Sequence, residues 1–190
     1  MNMANDGNQI VVGANGTVWV AAVNATEPTT PTATPAAGWA DLGFISEDGV
    51  TFTDSKETES VGVWQSFYAA RRIQISKDAT VSFMLKQWNP DTVSLAFGGG
   101  TVTEPSASVY KYVPPSPEEL DERALMIDWQ DGDKNYRLIM PKGMVIEAVE
   151  TNLTRSGAAD LPITFAATPA AGDDAWYLLT DDPALEPAGT

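Results

Sequence analysis

Strict alternation of apolar and polar residues is the feature that most constrains the fold of this chain. Arg72–Ser76 alternates in this way, and so does Val81–Lys86. A period of two places every second side chain on the same face of a β-strand. We interpret Lys77-Asp78-Ala79 as the connection between two such strands. Five apolar side chains would then face one core, namely Ile73, Ile75, Val81, Phe83 and Leu85.

The period changes at Asn89, where the residues favour a short helix over about residues 90–97. Asn89 is a preferred N-cap, Pro90 suits the first helical position, and Asp91 complements the positive end of the helix dipole. Three consecutive glycines, Gly98-Gly99-Gly100, would end the helix. They follow the helix instead of preceding it, and no Gly-Lys-Ser/Thr sequence comes after them, so a phosphate-binding loop is not indicated.

Turn residues divide the rest of the chain into short strands. Asn15-Gly16 predicts a tight hairpin turn between two apolar segments. Further turns are predicted at Glu47-Asp48-Gly49, Asp131-Gly132 and Pro141-Lys142-Gly143. Ser116-Pro117 could begin a second short helix. About ten strands with one clear helix predict a mainly β fold, a β-sandwich or a barrel.

Composition excludes several classes of function. The chain has 190 residues and contains neither cysteine nor histidine. Disulfides, thiolate catalysis, Ser-His-Asp triads and zinc sites built on Cys or His are therefore excluded. No apolar run is long enough to span a membrane, and the N-terminus lacks the pattern of a secretory signal. No cofactor or metal site is predicted.

The net charge of −15 is unevenly distributed. All 11 Lys and Arg residues lie between Lys56 and Arg155, and the segments 1–55 and 156–190 carry six acids each and no base. The two ends therefore contribute −12 of the −15. Such a chain repels nucleic acid. Solubility alone is the alternative explanation of the acidity.

We expect a single domain over residues 1–190 with three polar segments on its surface. Residues 24–38, rich in Thr, Pro and Ala, are predicted to be a flexible arm or linker that orders only against a neighbouring subunit. Residues 54–60 are predicted to be a charged hairpin tip or a mobile loop. Residues from about 181 to 190 are predicted to be an acidic C-terminal tail.

The block from Gly38 to Gly100 resembles the major tail tube proteins of long-tailed bacteriophages, the siphoviruses, especially those that infect actinobacteria. Five motifs carry the resemblance, in this order: Gly38-Trp39-Ala40-Asp41-Leu42-Gly43, Ser46-Glu47-Asp48-Gly49, Trp64-Gln65, Arg71-Arg72 and Phe83-Met84-Leu85-Lys86-Gln87-Trp88-Asn89. Family members commonly have Glu near Lys86-Gln87, and this chain does not. The block covers about a third of the chain, and its ordered motifs are the informative part.

The resemblance implies a structural virion protein, not an enzyme, with the tail-tube fold and one flanking helix. Six copies would form a ring, and stacked rings would form the tube through which the genome leaves. The implied partners are further copies of the chain, a tape-measure protein and the tail-end proteins. Double-stranded DNA would pass without specific binding, and no membrane is involved. The protein would be made in the bacterial cytoplasm and end in the tail of the virion.

Five charged residues are candidates for contacts in such a tube. Asp54, Glu57 and Glu59 would face the lumen, or else lie in a solvated loop or in a contact between rings. Arg71 and Arg72 could pair with acids of a neighbouring subunit, although one exposed face of a strand is the simpler interpretation. No catalytic residue is predicted.

Other functions remain open at this level. Six Trp residues would suit a carbohydrate-binding β-sandwich. We instead expect Trp19, Trp64, Trp129 and Trp176 to pack in the core, because they lie in or beside apolar strands. A hydrolase using two carboxylates has no paired acids to support it. A tail terminator or a capsid decoration protein would be another kind of virion protein.

Overall fold

The architecture is mainly β, with one α-helix, as the sequence predicted. A computed structural model of the chain describes residues 7–169 and 174–187. Its strands are β1 Ala14–Ala22, β2 Ala40–Asp41, β3 Ile45–Val63, β4 Ser66–Leu85, β5 Thr101–Ser106, β6 Val109–Val113, β7 Arg123–Asp131, β8 Lys134–Val145, β9 Leu161–Ala167 and β10 Tyr177–Thr180. The helix α1 is Pro90–Ala96, and Gly7–Gln9 and Pro183–Leu185 form single 3₁₀ turns.

Eight strands form one antiparallel sheet in the order β2-β1-β7-β8-β9-β4-β3, with β10 also paired to β8. Strands β5 and β6 form a separate hairpin. Both ends of the sheet contribute to one apolar cluster, since Val18 of β1 packs in the same cluster as Val81 of β4. The sheet therefore curls around a core without closing into a barrel.

The concave face of the sheet carries the main core. Its largest fully buried side chains include Phe165, Leu85 and Leu125, and Leu95 and Ala96 of α1 cover one end. The convex face carries a smaller apolar cluster around Met126 and Ile139. Both faces of the central strands are thus buried, which explains why β7 and β8 are apolar on consecutive residues.

The helix begins as its sequence indicates. The side chain of Asn89 accepts a hydrogen bond from the backbone N–H of Thr92, and the Thr92 hydroxyl accepts one from the backbone N–H of Asn89. This reciprocal pair satisfies two donors that a helix start would leave unpaired. The three glycines after the helix have positive φ, so they do end it.

Two of the motifs meet in space. The side-chain oxygen of Gln87 accepts a hydrogen bond of 2.8 Å from the backbone N–H of Phe44. It lies so close to Gly43 that a Cβ on that residue would overlap it, and Gly43 has a φ of 77°. Only glycine fits this contact, which joins the chain before β3 to the end of β4.

Several predicted turns are wrong, because they are irregularities inside longer strands. Asn15-Gly16 is a β-bulge where β1 pairs with β7, and no hairpin turn forms there. Glu47-Asp48-Gly49 is a bulge within β3, although the expected glycine turn geometry is present at Gly49. Pro141-Lys142-Gly143 lies inside β8. Extra residues opposite a partner strand give the same local signal as a turn.

Of the other predictions of secondary structure, one turn is confirmed, one helix is wrong and one hairpin was missed. Asp131-Gly132 begins the predicted turn between β7 and β8, and Gly132 has positive φ. No helix begins at Ser116-Pro117, where a single turn is closed by the Glu119 N–H and the Ser116 carbonyl. The hairpin of β5 and β6 was not predicted at all. Its residues alternate weakly, and almost all of them are exposed.

The segment 23–39 lies across the convex face as a strap. Arg137 of β8 is 3% exposed and donates hydrogen bonds to the backbone carbonyls of Thr30 (2.9 Å) and Ala33 (2.8 Å). The indole N–H of Trp39 donates to the carbonyl of Thr26. The expectation that this segment orders only against a neighbouring subunit is therefore wrong, because its partners are in its own sheet.

The predicted set of core tryptophans needs one correction. Trp19, Trp129 and Trp176 are half-buried against the two apolar clusters. Trp64 is 99% exposed. Its apolar neighbours in sequence suggested a core position, but they lie on a part of the hairpin that no other strand covers.

Candidate assembly interface

The most conspicuous surface feature is a long hairpin made by β3 and β4, which we call the arm (residues 53–78). Strand β9 pairs with β4 only over Thr80–Leu85. Beyond that point β3 and β4 pair with each other alone in the described chain. Every residue from Thr51 to Arg72 is exposed. Eleven residues from Thr53 to Val63 at about 3.4 Å each give a projection of roughly 37 Å.

The structure corrects two predictions about this hairpin. Residues 54–60 are not its tip, because they form a regular part of β3; the turn is at Trp64-Gln65. Lys77-Asp78-Ala79 is not a connection, because β4 runs unbroken from Ser66 to Leu85. Ile75 lies in a bulge of β4 and is exposed, so it does not join the core with Val81.

The tip of the arm is aromatic and exposed. Trp64 is 99% exposed, Phe67 is 110% exposed and Tyr68 is 86% exposed, and the nearby Val61 and Val63 are also exposed. Neighbouring apolar side chains in such number are unusual on an isolated soluble domain and mark contact surfaces. The aromatic residues Trp and Tyr are also those that contribute most to protein interfaces.

The five charged candidates all lie on the arm, but on different faces. Asp54 is 3.7 Å from the Lys77 ammonium, and Ser76 donates a hydrogen bond of 3.3 Å to Glu57. Glu59 lies opposite Ile73 in register.

Arg71 and Arg72 pair in register with neighbours on β3, which places their side chains on opposite faces of the arm. Arg71 lies opposite Val61, and Arg72 lies opposite Ser60. Within the described residues, no carboxylate comes within ion-pair distance of either guanidinium. The structure thus brings the five candidates onto one element without joining them into one site.

The arm is electrically neutral on a strongly acidic protein. Residues 53–78 contain four acids and four bases, so the whole net charge of −15 lies outside them. Near the tip, residues 61–72 contain Arg71 and Arg72 and no acid. The end of the arm therefore carries two cations beside its aromatic side chains, and its nearest acid, Glu59, lies opposite Ile73 on the paired strand.

A second surface feature is an apolar groove between the two ends of the curled sheet. Its volume is about 590 Å³, and its apolar lining includes Phe52, Trp129, Leu138 and Trp176. The rings of Phe52 and Trp176 meet edge to face with centroids 4.7 Å apart. Residues of the bulges in both β1 and β3, among them Gly16 and Gly49, line the groove.

The rim of this groove is acidic. Glu47 and Asp48 lie in the β3 bulge and are exposed. The Ser46 hydroxyl donates a 2.9 Å hydrogen bond to Asp48, and Gly49 takes a φ of 73° to complete the bulge. The bulge thus places two carboxylates at the mouth of an apolar cavity and holds that of Asp48 by a hydrogen bond.

The C-terminal segment is held on the turn between β7 and β8. Asp182 accepts hydrogen bonds from the Tyr136 hydroxyl (2.6 Å) and from Lys134 (3.1 Å), and Asp181 accepts two from Asn135. The hydrogen bond to Asp182, together with burial, raises the pKa of Tyr136 to about 12. The same hydrogen bond, followed by that from the Ala184 backbone N–H, lowers the pKa of Asp182.

The strap is tied to β10 by a further carboxylate. The Tyr177 hydroxyl donates a hydrogen bond to Glu27 of the strap. Burial and this hydrogen bond raise the pKa of Tyr177. These contacts explain part of the acidity of the two ends: some acids there hold peripheral segments on the sheet.

Cofactor sites do not emerge from the described residues. No group of three or more Asp and Glu side chains in that part of the chain could hold a metal ion. No helix there is long and apolar enough to cross a membrane. The arm and the groove offer apolar and ionic contacts.

The aromatic tip was missed in the sequence, although a signal for it exists. Residues 54–60 are polar on both faces of a strand and are followed by apolar residues around Trp64-Gln65. A strand with no buried face cannot lie in a sheet that covers a core. That pattern indicates a projecting hairpin whose apolar end is left for a partner.

Comparison with known proteins gives a family. A family model described as "Phage tail tube protein" matches residues 3–190. No curated protein matches the sequence. A chain in the virion of a native gene transfer agent (GTA) particle is 13% identical, with a TM-score of 0.41 over 94% of this chain and 100% of that chain. A chain in the sheath-tube complex of an extracellular contractile injection system (PVC), in the extended state, is 7% identical, with a TM-score of 0.33 over 86% of each chain.

Proposed function

Because this chain belongs to the phage tail tube protein family, we propose that it self-assembles into stacked rings of six copies that form the tail tube of a long-tailed phage. The family makes it a structural protein of the phage tail and so of the virion. The six-fold ring, the stacking and the actinobacterial type of phage are proposals. So are synthesis in the host bacterial cytoplasm and the tape-measure and tail-end proteins as partners.

One observation carries this proposal most directly: the arm is ordered, neutral and exposed, and its end is aromatic. In the described chain the two strands of the arm pair only with each other, so the arm contributes little to the core of its own subunit. Its three aromatic side chains would each bury about 150–250 Å² in a contact. Fully burying one large apolar side chain gains about 1.5–3 kcal/mol before the costs of association are subtracted. A contact that repeats from copy to copy along a tube would gain this free energy of apolar burial at every repeat.

The open sheet is consistent with the same proposal. In the described part of the chain, β3 pairs only with β4, and β2 is two residues long. An exposed strand edge attracts further strands, and ring closure would cover it. Strands from neighbouring copies would then continue one sheet around a lumen.

The acidity suits a conduit for DNA. A ring of six copies would carry six times the net charge of −15. A wall rich in Lys or Arg would bind the phosphate backbone, release counterions and hold the DNA. An acidic wall leaves double-stranded DNA without a binding site. We propose that Asp54, Glu57 and Glu59 contribute to this wall and that Arg71 and Arg72 lie in contacts between copies.

Electron microscopy of the concentrated protein tests self-assembly. We expect the wild type to form long tubes with a central channel. A variant carrying Trp64→Ser, Phe67→Ser and Tyr68→Ser should remain in small particles, because the gain from apolar burial is lost. Its melting temperature should match that of the wild type, since these side chains are exposed.

Leu153→Ser is the matched control, because Leu153 is an exposed apolar residue outside the arm. This variant should form tubes as the wild type does. Tubes of normal length from the triple variant would contradict the role of the arm. A wild type that forms no tubes, even when mixed with purified tail-end complexes, would contradict the proposed function.

A further inference from the structure

We propose that the groove between the two ends of the sheet receives the tip of the arm of a second copy of this chain. This inference rests on the proposed self-assembly and names the surfaces that meet in it. The tip and the groove are different surfaces of one molecule, so the contact is head to tail. A head-to-tail contact repeats from copy to copy, as a ring or a tube requires.

The groove has the character of a receptor. Its volume of about 590 Å³ lies within the range of about 300–1,000 Å³ that is typical of binding pockets. Trp129 and Trp176 are only half-buried there, although both pack against the core. An apolar side chain that entered would complete their burial and extend the core into the opening.

The arm cannot fill the groove of its own subunit. Phe52 lines the groove and stands at the root of the arm, whereas Trp64 is at the other end. The paired strands between them hold the tip roughly 37 Å away from the root at about 3.4 Å per residue. The nearest groove that a rigid arm can reach therefore belongs to another copy.

Charge favours this pairing over other contacts between two acidic molecules. Arg71 and Arg72 lie near the tip, where Glu59 of the paired strand is the nearest acid, and the rim carries Glu47 and Asp48. Both pairs are exposed, and within the described residues neither forms an ion pair inside its own subunit. An apolar contact bordered by opposite charges selects its partner and orientation.

The exposed hairpin of β5 and β6 is the rival occupant. Its Tyr110 and Val109 are exposed, but its only charged residues are Glu104 and Lys111, so it offers no net positive charge to the rim. It is also anchored near the helix, where the Tyr112 hydroxyl donates to the Gly99 carbonyl. The tip therefore matches the groove better in charge.

Cross-linking between two full-length variants tests the contact. Because the chain contains no cysteine, each variant carries a single thiol at the chosen position. Gln65→Cys places a thiol in the turn of the arm, and Leu178→Cys places one in the groove lining. The two variants are mixed at high concentration with a short bismaleimide, and the covalent dimer is measured. Gln65→Cys mixed with Leu153→Cys is the control. We expect about tenfold more dimer from the first mixture than from the control.

Charge exchange gives a second readout. In the Gln65→Cys copy, Arg71→Glu with Arg72→Glu should lower the dimer yield about tenfold at low salt. In the Leu178→Cys copy, Glu47→Lys with Asp48→Lys should lower it similarly. The two changes combined should restore the yield, because opposite charges face each other again.

The outcomes separate the two proposals. Tubes from the wild type with no excess of the Gln65–Leu178 product would overturn this inference and leave the proposed function standing. The product without tubes would support the contact and count against the tube. A cross-link from Gln65→Cys that is equally strong at Leu153→Cys, or that is insensitive to charge exchange, would also overturn the inference. A cross-link to Tyr110→Cys in place of Gln65→Cys would assign the groove to the other hairpin.

Discussion

Replacing Arg137 by Ala should destabilise the protein severely, although this residue lies far from the arm. Its guanidinium donates two hydrogen bonds to Asp128, at 2.6 and 2.8 Å, in a bidentate pair between neighbouring strands. Its Nη1 donates to the carbonyls of Thr30 and Ala33 in the strap. One buried side chain therefore joins β7, β8 and the strap.

The magnitude follows from what the truncation leaves behind. Asp128 keeps its charge without a partner, and its carboxylate is only 23% exposed. Removing one member of a buried ion pair costs about 3–5 kcal/mol. Two backbone carbonyls also lose a charged donor, which costs about 1.5–3 kcal/mol per hydrogen bond at most. Because the strap can turn those carbonyls toward water, we expect a total loss of about 3–5 kcal/mol.

Urea unfolding followed by Trp fluorescence measures this loss. Arg137→Lys keeps the charge but cannot both make the bidentate pair and reach the two carbonyls. Its loss of unfolding free energy should therefore be about half of that caused by Arg137→Ala. Arg155→Ala is the control: Arg155 is exposed, and its loss should change stability by less than about 0.5 kcal/mol. A loss below about 1 kcal/mol for Arg137→Ala would refute the reasoning, because surface ion pairs alone contribute that much.

Three further predictions concern the C-terminal segment, the helix and the proposed conduit. Asp182→Asn should destabilise the protein at pH 7; since folding lowers the pKa of Asp182, the difference from wild type should shrink as the pH falls below about 3.9, measured by thermal unfolding across pH. An unchanged difference at pH 3 would contradict this. Asn89→Ala should cost about 1 kcal/mol in urea unfolding, because the helix loses its N-cap; no loss would mean that tertiary packing alone holds the helix start. Changing Asp54, Glu57 and Glu59 together to Lys should reduce DNA delivery by virions with intact tails, and normal infectivity of such virions would remove these residues from the conduit.

Local sequence signals predicted the structure correctly where they act through neighbouring residues. Asn89, Pro90 and the three glycines after α1 specify a helix start and stop within a few residues, and the structure has both. The turn at Asp131-Gly132 is equally local. These features depend on backbone conformation and on hydrogen bonds within one turn, which sequence shows directly.

The same signals gave wrong predictions where pairing with a distant strand determines the local structure. Asn15-Gly16 and Glu47-Asp48-Gly49 have the residues of a turn, yet both are bulges because β7 and β4 continue beside them. Ile75 alternates with its neighbours as a core residue would, but it is exposed, because β3 is the only described strand that pairs with that part of β4. Alternation of apolar and polar residues indicates a strand with two different faces. It does not indicate whether another element packs on either face.

Local patterns along the chain established the class of the protein: mainly β, with one capped helix, no Cys or His chemistry, strong acidity at both ends, and an ordered set of motifs typical of tail tube proteins. The packing of distant strands was needed to show that Trp64 lies at the end of an exposed arm, that the strap folds back onto Arg137, and that the sheet stays open beside Glu47 and Asp48. Composition and turn chemistry act over a few residues. Burial depends on strands that lie more than a hundred residues apart in sequence, and it decides which apolar side chains form a core and which are left for another copy.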